Sequence, residues 1–84
     1  MRIFFDESVS RFVKRRKWHP TQVVKPAAGG IELTMDVAGT VELVSWVLGF
    51  SDKDEVLEPG SLRDEMAAEL ERAVARYRTA RLET

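Results

Sequence analysis

The chain of 84 residues has no cysteine and no asparagine, and only one histidine and one tyrosine. Without cysteine there is no disulfide, no thiolate metal site and no cysteine nucleophile, a usage that suits a reducing compartment. Long hydrophobic runs are also missing. No run of apolar residues and glycine exceeds five, which excludes a membrane-spanning helix of about 20 residues and the core of a signal peptide. Nor is there an excess of charge of one sign: 13 Lys and Arg stand against 14 Asp and Glu, for a net charge of −1. Indiscriminate cationic binding to nucleic acid is therefore not indicated. These absences predict a soluble, cytoplasmic protein without membrane contact.

What is present suffices for one small core. With 44% apolar residues, a chain this short commits most of them to folding, because a domain of its size buries only about 60% of its unfolded surface. We therefore read residues 1–84 as a single domain, with its core at about 3–78. The charge that exists is unevenly placed. Residues 1–42 carry 7 basic and 5 acidic side chains, the rest 6 and 9, and the basic excess gathers in Arg11, Lys14, Arg15, Arg16 and Lys17.

Hydrophobic periodicity changes along the chain. Ile3, Phe4 and Phe5 suit a strand. Asp6 or Ser8 can cap a helix whose apolar positions Val9, Phe12 and Val13 share a face, with Arg11, Lys14 and Arg15 projecting elsewhere and Pro20 as its terminator. Between Thr21 and Val37 the period becomes two, clearest in Ile31, Leu33, Met35 and Val37, with Gln22 to Lys25 as a partner strand and Ala28, Gly29 and Gly30 as the turn. Gly39 and Thr40 open a second helix with Val41, Val44, Val47 and Leu48 on one stripe, Leu43, Trp46 and Phe50 widening it, and Gly49 as the left-handed residue after its end. Glu55 to Glu58 reads as a strand stopped by Pro59 and Gly60. Ser61 and Asp64 form a capping pair for a final helix that lines up Leu62, Met66, Leu70, Ala73, Val74 and Tyr77. The tail from Thr79 is expected to fray. The order strand, helix, strand, strand, helix, strand, helix predicts an α+β fold: a ferredoxin-like βαββαβ sandwich with an added C-terminal helix and one sheet face left open.

Little in the chain points to catalysis. His19 has no nucleophile or orienting acid in a recognisable pattern and is expected to make a structural hydrogen bond. With one histidine and no cysteine, only carboxylates remain for a metal, and Asp52, Asp54 and Glu55 lack the alternating ligands of a calcium loop, so they are read as a solvated loop. Gly29 and Gly30 lie outside any phosphate-binding glycine pattern. The strand Ile31 to Val37 offers no aromatic for an RNA-stacking platform. An acylphosphatase-like hydrolase, which pairs an arginine with an asparagine, is excluded because the chain has no asparagine. Trp46 and Tyr77 are expected in the core. The surface that could hold an anionic ligand is the basic helix with the segment after it: Arg11, Lys14, Arg15, Trp18, His19 and Gln22.

Taken in order, RFVKRRKWHPTQ (Arg11 to Gln22), GGIELTMDVAGTVELVSWVLGF (Gly29 to Phe50) and EVLEPGSLRDEM (Glu55 to Met66) resemble the C-terminal extension, called WCX, of bacterial transcriptional regulators that carry a WYL domain. The resemblance spans about Ile3 to Tyr77 and rests on the order of the pieces. It implies that the chain is a fragment of a longer regulator, with a winged helix-turn-helix DNA reader and a WYL domain preceding this module. It further implies a non-enzymatic role without cofactor, in homodimer contacts and in the response to an effector such as single-stranded nucleic acid or a nucleotide, with DNA bound through the domains not present here.

Overall fold

In the computed structural model, which describes residues 1–37 and 41–79, the period-two pattern places each strand in the sheet. Strand β1 (Arg2–Asp6) buries Ile3 and Phe5 completely and turns Arg2, Phe4 and Asp6 to the opposite face. It lies between β3 (Gly30–Thr34) and β4 (Asp54–Glu58), and β2 (Val23–Ala27) completes an antiparallel sheet in the order β2-β3-β1-β4. Direct partners share a face. Ile3 therefore stands opposite Leu33 and Val56, and Phe5 opposite Ile31, which sets the apolar sides of three strands in one layer.

Three helices meet that layer. Helix α1 (Glu7–Arg15) starts where the Asp6 carboxylate accepts the Ser8 amide at 2.8 Å, a cap that also holds the Asp6 pKa below the usual carboxylate range. It contributes Val13, while α2 (Val41–Leu48) contributes Val47 and α3 (Gly60–Arg78) contributes Leu62 and Met66, joining the strands and Met35 in one core. The molecule is thus a mixed α+β domain with a four-stranded antiparallel sheet and three helices.

Several expectations shift. Phe12 is 62% exposed, not a core residue, and Val41 is 81% exposed, so each helix buries a narrower arc than its apolar residues cover. Helix α1 ends at Arg15, five residues before Pro20, and β3 ends at Thr34, although Met35 beyond it stays buried. Gly49 does not take the left-handed conformation after α2; Ser51 does, with φ of 58°. The expected opening of α2 at Gly39 and Thr40 lies outside the described residues, as does the tail beyond Thr79. Ser61 does not cap α3, which begins at Gly60 behind Pro59 without a side-chain cap. The strand expected at Glu55 to Glu58 begins one residue earlier, so Asp54 is not in a solvated loop but opens β4 with Glu55.

The largest difference concerns α3. Leu62 and Met66 are buried, but Leu70, Val74 and Tyr77 on the same stripe are 44%, 45% and 92% exposed. Tyr77 is therefore not a core residue. At a rise of about 1.5 Å per residue, the last two turns and more run past the body, and the long axis of the molecule reaches 48 Å against 26 and 20 Å for the others.

Candidate functional site

The six residues singled out from the sequence fall in two neighbouring places. Arg11, Lys14 and Arg15 are all exposed on α1. Arg11 and Arg15 flank the exposed Phe12 around a shallow groove of about 400 Å³ whose rim also includes Glu7 and Ser8. Charge and an accessible ring are thus adjacent, which is the minimum for holding a phosphate and stacking a base.

The segment after α1 is tied down by its own side chains. Trp18 donates its indole N–H to the Val13 carbonyl at 3.0 Å and its amide to Gln22 Oε1 at 2.6 Å, and Gln22 Nε2 donates to the Arg16 carbonyl at 3.3 Å. Gln22 therefore fastens the loop. His19 Nδ1 lies 2.8 Å from the Thr21 hydroxyl and accepts the Thr21 amide at 3.2 Å, while the same hydroxyl accepts the Asp36 amide at 2.8 Å. This chain of bonds joins the loop to the end of β3 and gives His19 the structural hydrogen bond expected of it.

Aromatic packing completes the anchorage. The Trp18 ring meets Trp46 of α2 at 4.5 Å between centroids, Trp46 meets Phe5 at 5.5 Å and Phe50 at 5.4 Å, and the Arg16 guanidinium covers Trp18 at 4.6 Å. Trp18, His19, Met35, Leu43 and Trp46, with Glu42 at the edge, line a second depression of about 290 Å³. None of the α1 cations lines it, so the structure does not gather the six residues into one concavity. The sequence reading assigned Phe12 to the core and so missed it as a surface group, and although it counted Arg16 in the basic cluster, the position of that cation over Trp18 is apparent only once the chain turns back.

A third depression, of about 170 Å³, lies where α2, β4 and α3 meet, with Val47, Val56 and Met66 among its walls. Asp54 faces it, and its buried Oδ2 has no hydrogen-bond partner among the described residues. Arg63 is close by but is engaged with the Glu55 carboxylate and, at 3.0 Å, with the Val56 carbonyl. Left in apolar surroundings without a counter-charge, the Asp54 carboxyl is pushed up to about 7 by burial.

The open face of the sheet carries ion pairs. Arg2 reaches Glu32 at 2.8 Å and Glu58 at 2.7 Å, linking β3, β1 and β4, and Phe4 is its one aromatic among the described residues of the two central strands. Among the described residues no group of three or more His, Asp or Glu is placed to hold a metal ion, and no helix is long and apolar enough to cross a membrane. A family model described as the WCX domain matches residues 1–74. No curated protein matches the chain.

Proposed function

This chain belongs to the WCX domain family, and from that premise we propose that it is the C-terminal regulatory module of a WYL-domain transcriptional regulator, contributing subunit contacts while other domains of the same protein read DNA. The observation that carries this reading is the distal half of α3, whose apolar stripe of Leu70, Val74 and Tyr77 stands largely exposed among the described residues. The sheet face is the weaker candidate, since its charges already satisfy one another. The strand order, with α1 and α2 in the two crossovers, supports a ferredoxin-like sandwich to which α3 is added.

Light scattering across a hundredfold range of concentration tests the assembly role. The expected molar mass rises from 9.6 kDa toward twice that value, and a Leu70→Ser, Tyr77→Ser double variant stays at the lower mass. A wild-type chain that remains monomeric throughout would sink the reading.

A second reading is favoured by Phe12, exposed between Arg11 and Arg15: an effector site for an anionic ligand, of which single-stranded nucleic acid is the chemistry that uses both ring and charge. Titrating a labelled single-stranded oligonucleotide should show that Arg11→Ala with Arg15→Ala weakens binding about tenfold and lowers the salt slope by about 1.4, two phosphate contacts being lost. Equal binding by the variant removes this site from consideration.

A further inference from the structure

We propose that the free half of α3 pairs with the same segment of a second copy in an antiparallel, two-fold contact, with Glu69 of each chain against Arg76 of the partner subunit. The proposal rests on the assembly reading and specifies its surface, partner and register.

The sequence of α3 sets the geometry. Counted in sevens, Leu70 and Tyr77 occupy one core position and Ala73 the other, with Val74 beside them, so these four side chains cover an arc of about 100°. Upstream the same stripe continues through Met66 and Leu62 into the body of the domain, where it is already covered. From Leu70 onward it is only partly covered among the described residues, and Tyr77 is almost fully exposed. A partner helix therefore has room only beyond the body, alongside residues 69 to 78, an overlap of about 15 Å.

Charge decides the direction. Glu69 and Arg76 lie seven residues apart on one edge of the stripe, while Ala67 and Val74 form the other edge. When two such helices run antiparallel, like edges meet, and the two-fold axis brings Glu69 opposite Arg76 of the partner subunit twice over. A parallel pair would instead set Glu69 against the apolar edge of its neighbour and leave both charges unpaired. Ala73 near the centre allows the helix axes to approach to the short end of the usual range of about 8–10 Å. A groove of about 480 Å³ bordered by Leu48, Leu70 and Ala73 and by Glu69, Arg72 and Arg76 runs along this edge, on the side where the charge pairs form.

The competing contact within one chain is weak. Arg72 reaches Glu69 at 3.2 Å, but the pair is exposed to solvent, Glu69 by about half, so little is given up when Glu69 turns to the partner. The overlap of about 15 Å is short for a specific interface, which needs about 1,000 Å². Association in the micromolar range or weaker follows, which suits a module whose other domains add their own contacts.

Sedimentation equilibrium on the wild type, Glu69→Arg, Arg76→Glu, an equimolar mixture of these two single variants, and the double reversal tests the register. Each single reversal replaces two attractive pairs by two repulsive ones and is expected to weaken dimerisation at least about tenfold. The mixture and the double reversal both restore opposite charges across the axis, and should return to within about threefold of the wild type. Both substituted positions carry exposed side chains, so helix content by circular dichroism should not change. If the wild type dimerises but the single reversals do so equally well, or the mixture is no tighter than its components, the register is overturned while the assembly reading survives. A wild type that never dimerises overturns both.

Discussion

Gly30→Ala is expected to remove most of the stability of this domain. A Cβ at position 30 would lie 1.9 Å from the Phe5 carbonyl oxygen, 3.0 Å from its carbon and 3.1 Å from the Asp6 carbonyl carbon. These are backbone atoms of the central strand, so no side chain can swing aside to make room. Relief requires β1 and β3 to part at the pairs Asp6 with Gly30 and Phe5 with Ile31. Phe5 is fully buried and packs on Trp46 and on Phe50, at 5.5 and 5.2 Å, so any such movement spreads into the core. We expect a loss of at least about 3 kcal/mol, against a total of about 4 to 13 kcal/mol for a domain of this length.

The same substitution at two other glycines provides the control. Gly29 forms the turn with φ of 81°, where alanine is expected to cost about 1 kcal/mol. Gly60, the first residue of α3, has open space around its would-be Cβ, and alanine there should be neutral or stabilising by up to about 1 kcal/mol. Urea unfolding at constant slope ranks the three. A Gly30 variant within 1 kcal/mol of the wild type, or one more stable than the Gly29 variant, contradicts the close approach of β3 to β1.

The second large effect is a change in how stability depends on pH. The Asp54 carboxyl is pushed up to about 7 in the folded chain by burial, from 3.8 when solvated. Between those values the folded state holds a proton that the unfolded state has released, so stability falls as pH rises from about 4 to 7 and the penalty is complete above 7. Asp54→Asn keeps the shape and removes the charge. The full linkage value is halved here because the group keeps contact with solvent, leaving roughly 2 kcal/mol. The variant should therefore exceed the wild type by that amount at pH 8.5 and lose its advantage near pH 4. Asp6 and Asp52, whose pKa values are lowered by hydrogen bonds from Ser8 and Lys53, act in the opposite sense but equally in both chains, so they cancel in the difference. Parallel stability profiles for the two proteins would show that Asp54 is solvated after all.

Sequence and structure part company at identifiable side chains. On α1, Phe12 and Val13 differ by about 100° around the axis, and a helix of nine residues crossing the sheet buries only one of these directions. On α2 the expected stripe of Val41, Val44, Val47 and Leu48 is buried only in part: Val47 packs inward, whereas Val41 at the start of the helix is 81% exposed. The left-handed residue falls at Ser51 because α2 tightens first, Gly49 bonding to Ser45 and Trp46, and Phe50 to Val47, before the chain turns. The basic half of the candidate site was legible because charged residues on a short helix next to a sheet have nowhere to go but solvent. Its aromatic half was legible as composition only, since the contact between Trp18 and Trp46 joins residues 28 apart in the chain.

By itself the sequence determined the elements, their order, the α+β class and, through the order of its motifs, the family. Strand and helix periods are local properties, repeated every two or about 3.6 residues, and they survive in one dimension. Only the tertiary structure decided which apolar face is covered and which is spare. The stripe on α3 has the same pattern from Leu62 to Tyr77, yet full burial ends at Met66, and no local signal marks where a neighbour stops. Burial is a property of what lies opposite. For the same reason the orphaned carboxyl of Asp54 and the absent Cβ of Gly30 acquire meaning only when β4 meets the helices and β3 meets β1.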